Sequence, residues 1–219
     1  MATDSTAGSM VVYERLLDRD GRWALSEGSR HFEGKSAVQD ALFRMTSWLA
    51  VLGIPYAVAG GMALFKHGFR RFTEDVDILI TSGALKTIHE RLDGLGYLPP
   101  FKDSKNLRDT ELGVRIEFLI AGEYPGDGKP KPVAFPDPAE AATEIEGIFY
   151  LQLPKLVELK LASGMTGGIH RLKDLTDVIA LIDSRVLPLE FADQLNPYVR
   201  PKYVELWQEI RDTPKSPDA

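Results

Sequence analysis

Asp75 and Asp77 stand two residues apart in the run DVDILI. In an extended chain both carboxylates leave one face, with Cα atoms about 6.6 Å apart at a rise of about 3.3 Å per residue. Val76 and Ile78 then point the other way, into a core. Glu117, the one acid in VRIEFLI, is the candidate third carboxylate on a neighbouring strand; Asp109 and Glu123, at the ends of the same hairpin, are its alternatives. Three carboxylates in a partly dry site repel one another by about 4 kcal/mol per close pair at an intermediate effective dielectric, so they call for a cation. Hard oxygen donors select Mg2+ or Mn2+, which complete their octahedra with water and phosphate oxygens. The backbone amides of Gly60-Gly61, ahead of a helix, supply an anion cradle, and a triphosphate would span cradle and metal. Each feature alone has a plainer reading. A diglycine is commonly a tight strand-to-helix connection, and two acids on one strand can be a solvated edge face. Their conjunction in strand-turn-helix context favours a site.

Composition narrows the chemistry. The chain has 219 residues, 44% apolar and 26% charged, as in ordinary globular proteins. Acidic residues outnumber basic ones 32 to 26, giving a net charge of −6, so no diffuse positive field draws it to nucleic acid or anionic lipid. Without cysteine there are no disulfides, thiolate metal sites or cysteine nucleophiles, which points to a cytoplasmic protein. The four histidines, His31, His67, His89 and His170, form neither an HExxH pattern nor a close pair, and His67 and His170 read as packing or surface residues. MATDSTAGSM reads as a disordered leader, and the tail from Thr213 as disordered too. Met45 to Phe65 is uncharged, but Gly53, Pro55, Gly60 and Gly61 would break a membrane-spanning helix, so no membrane association is expected.

The elements that must position these acids follow from periodicity. Weak alternation around Asp20-Gly21 suggests an N-terminal arm or hairpin over residues 1–34. Ser36 and Gln39 form a capping-box pattern ahead of Val38, Ala41, Leu42, Met45, Leu49 and Leu52, a core-facing helix ended by Gly53. A strand over Pro55–Ala59, the diglycine turn and a helix over Met62–His67 follow without a gap. The run DVDILI is a buried strand, Leu85–Leu95 an amphipathic helix, and Val114–Ile120 a strand paired with the stretch near Leu107 through Gly113. Residues 121–140 form a long loop, and Ile145–Leu151 a further strand. Helices are expected over Pro154–Met165, His170–Ile182 and Pro197–Ile210. Trp48, Tyr198, Tyr203 and Trp207 read as helix-packing aromatics. The result is an α/β (α+β) chain: an α/β core over 35–152, a C-terminal helical part over 153–212 and a short tail over 213–219.

The pattern Ala59-Gly60-Gly61, thirteen further residues, then Asp75-Val76-Asp77-Ile78 resembles the signature of the nucleotidyltransferase superfamily. The stretch GGMALFKHGFRRFTEDVDILI is similar to its minimal, toxin-type branch, the AbiEii-like proteins. LPKLVELKLASGM and HRLKDLTDVIALI resemble that branch's C-terminal helical motif. The likeness runs from about residue 50 to 183. It implies a mixed nucleotidyltransferase-type sheet flanked by helices, with the C-terminal helices closing over the nucleotide. It also implies roles for single residues: Asp75 and Asp77 as metal-binding acids, Gly60 and Gly61 as the phosphate turn, and Lys160 and Asp174 as the helical motif. Arg71 and Thr73 match the basic and hydroxyl residues before the acidic strand. The family's third acid is usually aspartate, where this chain offers Glu117.

The resemblance thus implies Mg2+-dependent (or Mn2+-dependent) transfer of a nucleotidyl group from a nucleoside triphosphate to a hydroxyl acceptor. The acceptor would be tRNA, a protein or a small molecule, and pyrophosphate would leave. Asp75, Asp77 and Glu117 would be catalytic and would hold the metal. The toxin-type likeness adds a cognate antitoxin as a partner. The alternative is a catalytically silent nucleotide-binding or partner-binding protein on the same scaffold. Plainer readings remain for the helical motif: Lys173 and Asp177 as a surface ion pair, Asp174 as a polar-face residue, Lys160 as a snorkelling side chain.

Overall fold

The structure, a computed structural model, describes residues 11–213; the expected leader and all but the first residue of the expected tail lie outside them. The chain opens with two helices where the alternation suggested an arm or hairpin: α1 (Tyr13–Arg19) and α2 (Gly21–Glu33). Asp20-Gly21 is a helix start instead of a hairpin turn. The Asp20 carboxylate accepts from the backbone N–H groups of Arg22 and Trp23, and Gly34, in the left-handed region at φ +80°, closes α2. Tyr13, Glu27 and His31 are the buried residues of this pair. Ser36 then caps α3 (Ala37–Val51) with the expected capping box.

The site-bearing run comes next: β1 (Ala57–Val58), α4 (Gly60–Lys66) and β2 (Asp75–Ile80). After α5 (Ser82–Leu92) come β3 (Tyr97–Leu98), β4 (Leu107–Asp109) and β5 (Arg115–Ile120). A loop leads to the single turn α6 (Pro138–Ala141). The strand expected over Ile145–Leu151 is instead a hairpin of β6 (Ala142–Ile145) and β7 (Ile148–Leu151). Glu146 and Gly147 both take positive φ, 54° and 80°, the conformation that a two-residue hairpin turn demands.

The seven strands of the described residues form one mixed sheet in the order β3-β4-β5-β2-β1-β7-β6. β2 lies between β1, antiparallel to it, and β5, parallel to it. β4 pairs with β5 as the hairpin at Gly113 predicts. Val76, Ile78, Leu79 and Ile80 of β2 are fully buried, and α3 and α4 pack against this strand. The C-terminal part is α7 (Leu153–Thr166), α8 (Leu172–Ser184) and α9 (Arg200–Asp212), each packed on the next. Two 3₁₀ turns (Gly168–Arg171 and Leu189–Gln194) connect them. Tyr203 Oη and Trp207 Nε1 donate to the Pro188 and Leu187 carbonyls, so these aromatics pack helices as expected. Trp48 instead sits at the surface of α3. Among the described residues no helix is long and apolar enough to cross a membrane.

Candidate active site

The register of β2 on β5 sets the site. Asp75 lies opposite Arg115 and Asp77 opposite Glu117, so all four side chains share one face of the sheet. Arg115 Nη2 is 3.1 Å from Asp75 Oδ2 and 2.8 Å from Glu117 Oε1, and Arg115 Nε is 3.9 Å from Glu14 Oε1 on α1. Thr73 Oγ1 donates to the other Asp75 oxygen at 2.9 Å. The Asp77 carboxylate makes no hydrogen bond or ion pair among the described residues, while its backbone carbonyl accepts from the Ala59 N–H at 2.9 Å. Burial, with the charges of Asp75 and Glu117 beside it, pushes its carboxyl up to about 7, although Lys160 and Lys173 work against this.

The diglycine is explained by the same face. Gly60, at φ +56°, has no space for a Cβ, which would overlap Asp77 Oδ2; a Cβ on Gly61 would come within 2.7 Å of Thr73 Cβ. Both glycines admit side chains of the acid strand and its approach.

A second network underlies the first. Arg71 forks its Nε and Nη2 onto the two Asp177 oxygens at 2.8 and 3.1 Å. Lys160 Nζ donates to Asp174 at 2.9 Å and Asp177 at 2.6 Å, and Ser163 Oγ donates to Asp174 at 2.6 Å. Lys160, Asp174 and Asp177 are buried. Burial opposes the charge on Asp174, but Lys160 and the Ser163 hydroxyl outweigh it and hold the group below the ordinary carboxylate range. Asp177 therefore belongs to this network and makes no pair with Lys173, contrary to the surface-pair reading. Nor does Lys160 merely snorkel: the network ties the Arg71–Thr73 segment to α7 and α8. His31 steadies that segment from the other side, its Nε2 donating to the Arg71 carbonyl at 3.1 Å. His67, through Nε2, bonds the Leu151 carbonyl at 2.7 Å.

Gly60, Arg71, Thr73, Asp75, Asp77, Glu117, Lys160 and Asp174 all line one cavity of about 400 Å³; Gly61 does not line it. Its walls add Phe135, which is partly exposed, over the buried Phe118, Leu151, Leu156 and Leu159, an apolar backing of the kind that accepts a nucleobase, with Lys105, paired to Glu123 at 2.9 Å, at the rim. Arg171 and Lys173 also line it, are exposed, and have no ion-pair partner among the described residues. The sequence signal for them was present in HRLKD, two basic residues two apart at a helix start. Arg115, two residues before Glu117 on the same face, carried an equally readable alternation. Asp109 is excluded as a third acid: it is buried, its Oδ1 accepts from the Glu111 and Leu112 amides, and it lines no part of this cavity.

Among the described residues no group of three or more His, Asp or Glu side chains converges to hold a metal ion. Arg115 contacts both Asp75 and Glu117. The donor chemistry of Asp75 and Asp77 nonetheless fits Mg2+ or Mn2+: two carboxylates on one face, one of them without any partner, suit an ion that takes its remaining ligands from phosphate and water.

No protein-family model matches the chain, and no curated protein matches it. Solved structures do. The solution structure of the antibiotic-resistance factor ANT(2'')-Ia superposes with a TM-score of 0.50 at 12% identity, covering 78% of this chain and 96% of that one. An antigenic nucleotidyltransferase-like protein from Paracoccidioides brasiliensis gives 0.46 at 16% identity, covering 78% and 92%. The lincosamide antibiotic adenylyltransferase LnuA, bound to lincomycin, gives 0.42 at 15% identity, covering 65% and 95%. Of these three, the first carries the fold assignment. The chain has the α/β fold of that antibiotic-resistance factor, a mixed sheet flanked by helices.

Proposed function

We propose that the protein is a divalent-metal-dependent nucleotidyltransferase that moves a nucleotidyl group from a nucleoside triphosphate to a hydroxyl acceptor. One observation carries this reading: Asp75, Asp77 and Glu117 are locked in register on one face of two parallel strands, with Gly60 closed against Asp77, at the wall of a nucleotide-sized cavity. When bound, Mg2+ or Mn2+ would neutralise charge on the triphosphate and on departing pyrophosphate.

Asp75 and Asp77 would hold that ion. Arg171 and Lys173 would orient the phosphates, and the apolar wall would take the base. Glu117 would accept the proton of the acceptor hydroxyl as its oxygen bonds to the α-phosphorus and the bond to the β-phosphate oxygen breaks, releasing pyrophosphate. Arg71, Thr73, Lys160 and Asp174 would bear on the nucleotide by fixing the acid strand against α7 and α8. The net charge of −6 favours a small-molecule or protein hydroxyl over tRNA. The AbiEii-like branch and a cognate antitoxin are supported by the sequence resemblance.

A specific observation favours the second reading, a nucleotide-binding protein without turnover: Arg115 already neutralises part of the acid face. Incubation with labelled nucleoside triphosphates and Mg2+, followed by mass analysis of small-molecule, tRNA and protein acceptors, separates the two. A nucleotidyl adduct absent with the folded Asp77→Asn variant supports transfer. Triphosphate binding with no adduct on any acceptor supports the silent scaffold.

A further inference from the structure

Arg115 is placed unlike a surface arginine. A single nitrogen, Nη2, serves Asp75 on its own register pair and Glu117 two residues along its own strand, at 3.1 and 2.8 Å. That nitrogen contacts both Asp75, one of the two carboxylates that would hold the metal, and Glu117, the proposed proton acceptor. The third carboxylate, Asp77, receives nothing from it.

The remainder of the guanidinium is underused. Nε is buried and has no hydrogen-bond acceptor, yet Glu14 Oε1 stands 3.9 Å away. Glu14 is itself anchored by Arg108, whose Nη1 and Nη2 reach its two oxygens at 2.8 and 3.3 Å. A second seat for Arg115 is therefore already built, one short side-chain adjustment from the first. Like charges exclude one another at such distances, so a divalent ion held by Asp75 and Asp77 and the guanidinium cannot both sit on Asp75.

We propose that Arg115 is an exchangeable internal counter-ion: it holds Asp75 and Glu117 in place in the metal-free protein and passes to Glu14 when the metal arrives with triphosphate. The proposal rests on the metal-dependent reading given above. Arg115 is thus a positioning residue, and it makes metal binding without nucleotide weak while leaving the acids arranged.

The test is Mn2+ binding to the full chain, read by electron paramagnetic resonance without nucleotide, for wild type, Arg115→Gln, Arg115→Lys and Arg115→Gln with Asp75→Asn. Arg115→Gln should bind Mn2+ at least about tenfold more tightly than wild type, a gain that Arg115→Lys largely reverses and Asp75→Asn abolishes. Equal or weaker binding by Arg115→Gln would overturn the proposal. Should Arg115→Gln not fold, the wild type still decides. Its Arg115 side-chain 15N resonance, assigned by its loss in Arg115→Lys, should shift on adding Mg2+ with a non-hydrolysable triphosphate, and an unmoved resonance would overturn the exchange. If wild type binds no Mn2+ even with triphosphate, the metal-dependent reading itself falls; if it does, and Arg115→Gln gains nothing alone, only the counter-ion role falls.

Discussion

Gly60 and Asp77 share a space that no residue with a side chain could share: a Cβ at position 60 would overlap Asp77 Oδ2, and the backbone there is left-handed at φ +56°. The diglycine thus answers to the site's own carboxylate. Gly60→Ala should lower unfolding free energy by about 2 kcal/mol, from backbone strain plus displacement of Asp77, as read from urea denaturation. It should weaken triphosphate binding as well.

Asp77 makes stability depend on pH in an unusual sense. Its folded carboxyl titrates near 7, against an ordinary value of 3.8, so across that window the folded chain binds a proton the unfolded chain has lost. The contribution of this group therefore falls as pH rises from about 4 to about 7. Asp77→Asn should remove that slope, leaving the variant close to wild type in stability near pH 4 and clearly more stable near pH 7 in metal-free buffer. Urea midpoints at the two pH values check this.

Lys160 pairs with two buried acids, Asp174 and Asp177, the second of which it shares with Arg71. Lys160→Met should cost about 3–5 kcal/mol, because both carboxylates would then be buried without it. Adding Asp174→Asn and Asp177→Asn should restore much of the loss. Thermal unfolding of the single and triple variants measures both effects.

Much of this was legible in the sequence. DVDILI is the strand it reads as, and the alternation of Asp75 and Asp77 with Val76 and Ile78 placed the acids on one face before any coordinates. The pairing of β4 with β5 followed from Gly113. The N-terminal helices were not legible, because Asp20-Gly21 carries a turn signal that is equally a cap-and-first-residue signal, and only the packing of Tyr13, Glu27 and His31 decides between them. The fate of Asp177 was hidden for a related reason. Helical spacing shows that Lys173 is four residues away, but not that Arg71, 106 positions earlier, arrives on the same carboxylate. Long-range ion pairing leaves no local pattern.

Glu117 separates turnover from binding. Glu117→Gln should lower the transfer rate about 100-fold or more while triphosphate affinity changes little, since the substitution removes a proton acceptor and keeps its shape. Single-turnover rates on whichever acceptor is labelled, beside a binding isotherm, provide the comparison. Full activity in this variant would move the base to Glu123, which lines the same cavity.

The most direct test of a metal-dependent nucleotide site at Asp75 and Asp77 is calorimetric titration of nucleoside triphosphate into the metal-free protein, with and without Mg2+, for wild type and Asp77→Asn. The acid face should repel triphosphate alone, so binding should appear with Mg2+ and be lost in the folded Asp77→Asn variant. Equal affinity with and without Mg2+ in wild type would contradict the account.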